Sequence, residues 1–349
     1  MADFITFQPK DHFKAGYYSG TGSELAITGN DHQPDFLWIK QANGTDAHVL
    51  FDAIRGATKY VSSSSTGAEA TNAQTVKSFD SDGFTLGTDG AVNDSTKSYV
   101  SLSWKGNGQG SANSDGTITT TYTSANTTAG ISIIQYTGNS TSGATIGHGL
   151  GTTPTFFMCK KTNSAGDNWI AYHNYLGATK YMVLNATDAA ATASGAWNDT
   201  EPTSSVISLG NGTTVNGNTD TFICYAFAEK RGFSKFGSYY GNGTSGNGQF
   251  IYTGFKPGFI MIKRHNSTGN WNMYNMALNT TNKSQFFHHE ANANSTWVDN
   301  TDELEVFSNG FRPIGSTKTD SNVNNGQYLY MAFAEEPIVS SNDVPTVAR

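Results

Sequence analysis

The residues that could carry chemistry in this chain are few, and they do not form a catalytic set. His288, His289 and Glu290 are the densest cluster, but neighbouring residues of a strand point to opposite faces, so the two imidazoles do not converge on one metal ion. His148 lies between glycines and is expected to satisfy the backbone of a turn. We therefore expect no enzyme, no metal site and no cofactor.

Four aspartates in the first third of the chain raise the question of calcium: Asp80, Asp82, Asp89 and Asp94. Their spacing differs from that of a calcium-binding loop, in which the ligands recur at alternate positions. Aspartate is also one of the common turn residues. Turns are the favoured interpretation, and calcium is the alternative.

Four tryptophans could instead contact a glycan. Trp169 and Trp271 occupy similar places in a repeated pattern, and so do Trp197 and Trp297. An indole ring beside Asn, Thr and Gly can stack on a sugar whose hydroxyls bind the polar neighbours. A core position is the favoured alternative, because Trp169 and Trp271 alternate with apolar residues.

Lysines and glutamates recur at strand ends. Lys160 and Lys263 each close an apolar run, while Glu229 and Glu335 each follow the last apolar run of the same repeat. We expect these residues to form structural ion pairs between neighbouring strands, Lys160 with Glu229 and Lys263 with Glu335, in preference to any catalytic use.

The pattern that positions these residues occurs three times. An apolar run that begins with proline and ends with lysine starts at Pro34, Pro154 and Pro257, at separations of 120 and 103 residues. A tyrosine, one more residue and a glycine precede each run, and a second apolar run and an aromatic-rich closing run follow it. Four apolar residues after a proline indicate a short strand that is buried on both faces. The chain is therefore predicted to be a tandem array.

The composition favours strands and turns over helices. Only 14% of the residues are charged, and Gly, Asn, Thr and Ser fill the gaps between apolar runs. We predict an all-β fold with minimal helix, made of three tandem β-sandwich repeats, lectin-like or jelly-roll-like in shape, of roughly 100 residues each. Unit one is residues 1–108 with an N-terminal arm, unit two is 129–231 and unit three is 232–337. A Gly/Ser/Thr-rich linker at 109–128 should attach unit one loosely, and 338–349 should form an extended tail.

Charge and cysteine content narrow the class further. The formal net charge of −7 comes without a basic stripe, which argues against nucleic-acid binding. We expect neither a membrane-spanning segment nor a secretory signal, and therefore synthesis in a cytoplasm. Cys159 and Cys224 lie in the two central apolar runs of unit two. Free buried thiols are the favoured expectation, and a disulfide between neighbouring strands is the alternative.

Several motifs of unit two are similar to those of a known family. They are the segments 147–151 (Gly-His-Gly-Leu-Gly), 177–181 (Gly-Ala-Thr-Lys-Tyr) and 225–229 (Tyr-Ala-Phe-Ala-Glu). They resemble a domain of unknown function found in virion proteins of tailed bacteriophages, particularly marine ones. The resemblance implies a β-sandwich on the exterior of a virus particle, and it brings no catalytic residues. Unit three departs from the first two motifs, which suggests a different role for it.

These observations predict a non-enzymatic structural protein of a phage virion, synthesised in the host cytoplasm. Its expected role is that of a tail-fibre or appendage component that contacts the host surface. A capsid decoration protein without a ligand is the alternative. One feature supports it: the sequence has no heptad or collagen-like shaft, which most fibres have. A glycan-cleaving enzyme is a remote third reading, since no pair of carboxylates stands out. The expected partners are other virion proteins, further copies of the chain in a homo-oligomer, and a host surface glycan, without nucleic acid or membrane insertion.

Overall fold

The structure, a computed structural model, describes residues 7–278, 283–315, 321–334, 338–339 and 345–346. Within these ranges the chain is all-β, as predicted from its composition, and the helices are single turns. They are a 3-10 turn (Pro9–Asp11), α1 (Gly90–Asn93), α2 (Ser194–Trp197) and α3 (Thr213–Asn216). None of the helices in the described ranges is long and apolar enough to cross a membrane.

Unit one contains nine strands. They are β1 (Phe13–Ser19), β2 (Leu25–Thr28), β3 (Phe36–Gln41), β4 (Val49–Asp52), β5 (Lys59–Tyr60), β6 (Ala70–Thr71), β7 (Val76–Asp80), β8 (Gly83–Leu86) and β9 (Ser98–Trp104). The central sheet has the order β1-β9-β3-β4, a three-stranded sheet has the order β2-β8-β7, and β5 pairs with β6.

Unit two follows with nine more strands. They are β10 (Tyr122–Asn126), β11 (Ile131–Thr137), β12 (Ala144–Gly147), β13 (Phe156–Lys161), β14 (Ile170–His173), β15 (Lys180–Val183), β16 (Ala191–Thr192), β17 (Val206–Leu209) and β18 (Thr221–Phe227). The central sheet has the order β10-β11-β18-β13-β14-β15-β16, and β12 pairs with β17. The segment 109–128, expected to be a linker, thus contributes the edge strand β10.

The described part of unit three has a single large sheet. Its strands are β19 (Ser234–Tyr240), β20 (Ile251–Tyr252), β21 (Pro257–Arg264), β22 (Trp271–Asn275), β23 (Lys283–Glu290), β24 (Val298–Phe307), β25 (Gly310–Pro313) and β26 (Gln327–Ala334). Their order is β19-β26-β21-β22-β23-β24-β25-β20. In the tail, β27 (Ile338–Val339) pairs with β28 (Pro345–Thr346).

Four strands in each large sheet have the same arrangement. The closing strand lies between the first strand and the proline-started strand, which pairs in turn with the second strand: β1-β9-β3-β4, β11-β18-β13-β14 and β19-β26-β21-β22. All these pairs are antiparallel. Strand β10 covers β11, whereas β1 and β19 each pair on one side only within the described residues.

The tyrosine and glycine that precede each proline-started run hold the first strand to the turn before the closing strand. The hydroxyl of Tyr18 donates to the Val92 carbonyl at 2.9 Å, and that of Tyr136 donates to the Val215 carbonyl at 2.6 Å. A Cβ on Gly138, two residues after Tyr136, would lie 2.4 Å from a carbonyl oxygen, so only glycine fits there. The glycine of this motif therefore allows the end of the first strand to lie close to the turn before the closing strand.

The proline-started strand and the closing strand of each large sheet are buried on both faces. The outer faces of units one and two pack against their own smaller sheets. The inner faces of all three units meet in one common core. At its centre the last aromatic residues of the closing strands are in contact: the ring centroids of Trp104 and Phe227 are 6.0 Å apart, those of Trp104 and Phe333 5.5 Å, and those of Phe227 and Phe333 5.8 Å.

The expectation that unit one is loosely attached is wrong. Phe36 of unit one stacks on Tyr225 of unit two, with ring centroids 4.1 Å apart, and Phe13 stacks on Phe333 of unit three at 5.1 Å. These rings are buried, so separating unit one would expose part of the common core.

Candidate functional site

The tryptophans expected to contact a glycan lie mainly in the interior. The exposed fraction is 0% for Trp169, 1% for Trp197 and 2% for Trp271. A sugar needs an open ring face to stack on, so a glycan contact at these three residues is wrong and the core interpretation is correct. Trp297 is half-buried, and its backbone N–H donates to the Ala42 carbonyl at 2.8 Å.

Two of these indoles fasten one unit to the next. Nε1 of Trp169 in unit two donates to the Ser62 carbonyl of unit one at 2.7 Å. Nε1 of Trp271 in unit three donates to the Val183 carbonyl of unit two at 2.9 Å. Each bond satisfies a buried indole N–H. Each also crosses a seam, the surface along which two units are in contact, which explains why both rings are internal.

Unit one has a histidine at this register position. The pairing of β3 with β4 places His48 where units two and three have tryptophan. Trp38 Nε1 donates to His48 Nδ1 at 2.9 Å, so Nε2 of the neutral ring carries the proton and donates to the Glu290 carbonyl of unit three at 3.0 Å. The three seams are thus bridged in one direction, from unit two to one, three to two and one to three.

Replacing Trp169 with phenylalanine should weaken the seam between units one and two without opening a large cavity. The Ser62 carbonyl would lose its buried donor, which costs about 1–3 kcal/mol. We expect a lower melting temperature, measured by calorimetry. Tyr252→Phe is the control, because Tyr252 is 64% exposed and should melt as the wild type does. Equal melting temperatures for both variants would contradict a structural role for the indole N–H.

The ion pair expected between Lys160 and Glu229 does not form. Strands β13 and β18 are antiparallel, so Lys160 at the end of β13 lies beside the start of β18, while Glu229 follows the end of β18. Lys160 Nζ instead donates to the carbonyls of Asp167, at 2.7 Å, and of Thr66 in unit one, at 3.3 Å. Glu229 pairs with Lys235 at 2.6 Å. Burial lowers the pKa of Lys160 to about 8.

Lys263 is held in the same way. Its Nζ donates to the Gly269 carbonyl at 2.5 Å and to the Thr187 carbonyl of unit two at 2.9 Å. It also lies 5.7 Å from the centroid of the Trp271 ring. Its expected partner, Glu335, lies outside the described residues. Lys160 and Lys263 therefore bind backbone oxygens of their own unit and of the preceding one, a role that residue type and spacing do not reveal.

A small cavity lies at the seam between units one and three. Its volume is about 10 Å³, roughly the space for one water, and Trp38, Lys40, His48 and His289 are among the residues that line it. The rings of His48 and His289 are 6.5 Å apart. Burial, together with the charge of Lys40, holds the pKa of His48 well below its usual value and lowers the pKa of His289 to about 3.

Acid should destabilise this seam. Because the folded-state pKa of both histidines lies below about 6.5, the unfolded chain takes up protons first as the pH falls, and stability is lost progressively below that value. His173, at the seam between units two and three, adds to the effect, since burial lowers its pKa to about 4. The measurement is the melting temperature between about pH 7 and pH 4. His289→Gln should show a shallower decline than the wild type, and an identical decline would contradict the assignment.

A buried charged group crosses the seam between units one and two. Arg55 Nε donates to an Asp52 carboxylate oxygen at 2.6 Å, and the hydroxyl of Tyr225 in unit two donates to the same oxygen at 2.7 Å. The side chains of Asp52 and Arg55 are fully buried. Burial raises the pKa of Tyr225 well above its usual value, so the phenol keeps its proton and remains a donor.

The other two seams have a polar side chain at the register position of Asp52. His173 in unit two lies 3.5 Å from the Tyr330 carbonyl of unit three, and Asn275 Nδ2 in unit three donates to the Gly16 carbonyl of unit one at 3.2 Å. Sequence reasoning missed this position, because Asp, His and Asn share no chemistry that marks them as equivalent.

The residues first considered for catalysis or metal binding have separate local roles. Among the residues that the structure describes, no group of three or more His, Cys, Asp or Glu could hold a metal ion. His288 faces Glu303 at 3.0 Å, on the opposite side of β23 from the cavity that His289 lines. His148 Nδ1 accepts from the Leu150 N–H at 3.1 Å, the turn role expected of it.

The four aspartates also act in turns and hairpins. Asp82 accepts from the backbone N–H groups of Gly29, at 3.0 Å, and Asp31, at 2.8 Å. The carboxylates of the other three accept from nearby groups: Asp80 from Ser78 and Thr85, Asp89 from Ala91, and Asp94 from Thr96. Each carboxylate therefore has a local structural partner.

Large exposed aromatic side chains are concentrated near the seam between units two and three and in unit three. Tyr175 of unit two is 48% exposed and Tyr240 of unit three is 54% exposed. The neighbouring phenol of Tyr175 raises the pKa of Tyr240. The centroids of Tyr175 and His265 are 5.9 Å apart, and His265 Nε2 is buried without a hydrogen-bond partner among the described residues. The Tyr175–Tyr240 pair is thus an open aromatic surface with a polar ring beside it.

The architecture defines an all-β protein with sandwich-like packing, whose three large sheets share one core. The sequence profile of a family described as a domain of unknown function, DUF7483, matches residues 8–337, and the chain belongs to this family. No curated protein and no solved structure matches the chain.

Proposed function

We propose that this chain is a non-enzymatic structural protein on the exterior of a bacteriophage particle, as a component of a tail fibre or similar appendage that contacts the host surface. The observation that carries the proposal is that the indole, guanidinium and ammonium groups which could have bound a ligand instead form hydrogen bonds between units. Trp169, Trp271, Arg55 and Lys160 all bind across from one unit to another. A chain built in this way is rigid, as suits a module that must keep its shape outside a cell.

The organisation that goes with this function is a closed set of three tandem β-sandwich units. The shared strand order, the three mutually contacting rings of Trp104, Phe227 and Phe333, and the one-directional bridges between units support three copies around a common axis. The resemblance of unit two to virion domains supports the location.

The Tyr175–Tyr240 pair is the surface we assign to the host glycan. Both rings are about half exposed, so each offers an open face to the apolar side of a sugar ring. The tyrosine hydroxyls can bind sugar hydroxyls at the same place. This surface replaces the buried tryptophans as the site for stacking.

Binding of purified chain to host cells and to a glycan array tests the assignment. The double variant Tyr175→Ala/Tyr240→Ala should lose most binding, and its melting temperature should change little because about half of each side chain is exposed. Phe250→Ala/Tyr252→Ala is the matched control, since Phe250 is 44% and Tyr252 is 64% exposed in unit three. Equal binding by both double variants would remove the glycan role from this surface.

Capsid decoration is the second candidate function, and the extensive burial between units favours it, because a self-contained body needs no ligand. Gold-labelled antibody against the chain, imaged on intact particles by electron microscopy, separates the two. Label on the tail supports the appendage, label over the capsid supports decoration, and absence of label from particles that contain the chain's gene would contradict both. A glycan-cleaving activity would appear as shortened oligosaccharides after incubation with the purified chain.

A further inference from the structure

Cys159 and Cys224 are opposed at the centre of the largest sheet of unit two. Cys159 lies on β13 and Cys224 on β18, and the two are direct register partners of an antiparallel pair. Both side chains are fully buried in the core on the outer face of the sheet, and their Sγ atoms are 2.7 Å apart. Both cysteines are free thiols in this structure.

This placement meets the main requirement for a disulfide. Directly opposed residues of antiparallel strands have Cα atoms about 4.5–5.5 Å apart, within the range of about 4.4–6.8 Å that disulfides span. The two side chains leave the sheet on the same face, so the thiols meet without a change of register. We propose that Cys159 and Cys224 are an oxidation site that forms a cross-strand disulfide once the chain meets an oxidising thiol–disulfide environment. This proposal does not depend on the function proposed above.

The reaction is thiol–disulfide exchange with a small-molecule disulfide such as oxidised glutathione. The thiolate of one cysteine attacks a sulfur of the small disulfide, forms a mixed disulfide and releases one small thiol after protonation. The thiolate of the second cysteine then displaces the other small thiol and closes the Cys159–Cys224 bond. Two protein thiols are oxidised and one small disulfide is reduced to two thiols.

Burial determines when this reaction occurs. It raises the pKa of the Cys224 thiol well above its usual value, and the thiolate is the reactive form. The folded chain should therefore react slowly, whereas a chain that refolds in the oxidising buffer should react before the strands close. The bond would link residues 65 positions apart and join the closing strand to the proline-started strand, which restricts the unfolded chain.

The test uses the full chain, denatured under reducing conditions and refolded with either reduced or oxidised glutathione. The product is denatured again, alkylated with N-ethylmaleimide and weighed by mass spectrometry. We expect two alkylated thiols after refolding with reduced glutathione and none after refolding with oxidised glutathione. The oxidised monomer should melt several degrees higher than the reduced one. Native chain given oxidised glutathione without unfolding should lose its thiols far more slowly.

Cys159→Ser and Cys224→Ser are the matched controls. Each keeps one thiol and cannot form the internal bond, so the melting temperature of its monomer should not rise after refolding with oxidised glutathione. A wild-type chain that regains its native fold in the oxidising buffer with both thiols still alkylated would overturn the proposal. So would thiol loss that arises only from mixed disulfides or from links between two chains, which mass spectrometry distinguishes. If refolding fails, slow oxidation of the native chain near its melting temperature provides the same measurement.

Discussion

Phe227→Ala should lower the free energy of unfolding by about 3–5 kcal/mol. Phe227 is 1% exposed, and its ring contacts Trp104 of unit one, Phe333 of unit three and Phe156 of its own unit. The cavity would open in the core that all three units share. We therefore expect the whole chain to melt in a single transition at a lower temperature, as measured by calorimetry and denaturant titration.

Tyr252→Ala is the matched control for this variant, because it removes an aromatic ring that is 64% exposed and should change stability by less than about 0.5 kcal/mol. If Phe227→Ala instead splits the melting curve, with unit two unfolding early and the other two units unchanged, the units have independent cores and the common core is not energetically important.

Arg55→Leu should be about as damaging, at about 3–5 kcal/mol, because it leaves the Asp52 carboxylate buried without its cationic partner. The loss should appear as a lower denaturation midpoint for the whole chain, since Asp52 also bonds to Tyr225 across the seam. Lys77→Leu is the control. Lys77 forms an exposed ion pair with Glu24, and such pairs contribute only about 0–1 kcal/mol.

A triple variant separates the pairing of the charges from the space that they fill. Asp52→Leu/Arg55→Leu/Tyr225→Phe removes both charges and the hydroxyl together, so no buried polar group among the three is left unpaired. Replacing a buried ion pair by apolar groups is often neutral or stabilising, and we expect most of the lost stability to return. If the single variant loses no more stability than Lys77→Leu does, Asp52 is accessible to water and the buried network is wrong.

Much of the local structure could be predicted from the sequence. The proline-started runs, the closing runs and the scarcity of helix follow from short-range pattern and residue type, and they correspond to β3, β13, β21, β9, β18 and β26. The turn role of His148 and the buried indoles of Trp169 and Trp271 could also be predicted, because glycine flanks and alternation with apolar residues are local signals.

The relations between units could not be predicted in this way. A run that is buried on both faces, such as β13, does not reveal whether its second face packs within its own unit or against another one. The predicted ion pair between Lys160 and Glu229 is wrong because each residue lies at or just after the C-terminal end of its strand. The two strands are antiparallel, so these ends lie at opposite ends of the sheet. The seam position shared by Asp52, His173 and Asn275 has no common residue type, and only the register reveals it.

The first strands β1 and β19, which pair on one side only among the described residues, have a consequence for solubility. An edge strand offers unpaired backbone groups on which a second chain can add a strand, and proteins often block this with lysine. At one register position the two edge strands carry Lys14 and Lys235, whereas β11, which β10 covers, has the buried Ser132 there. The two lysines thus oppose edge-to-edge aggregation of the chain.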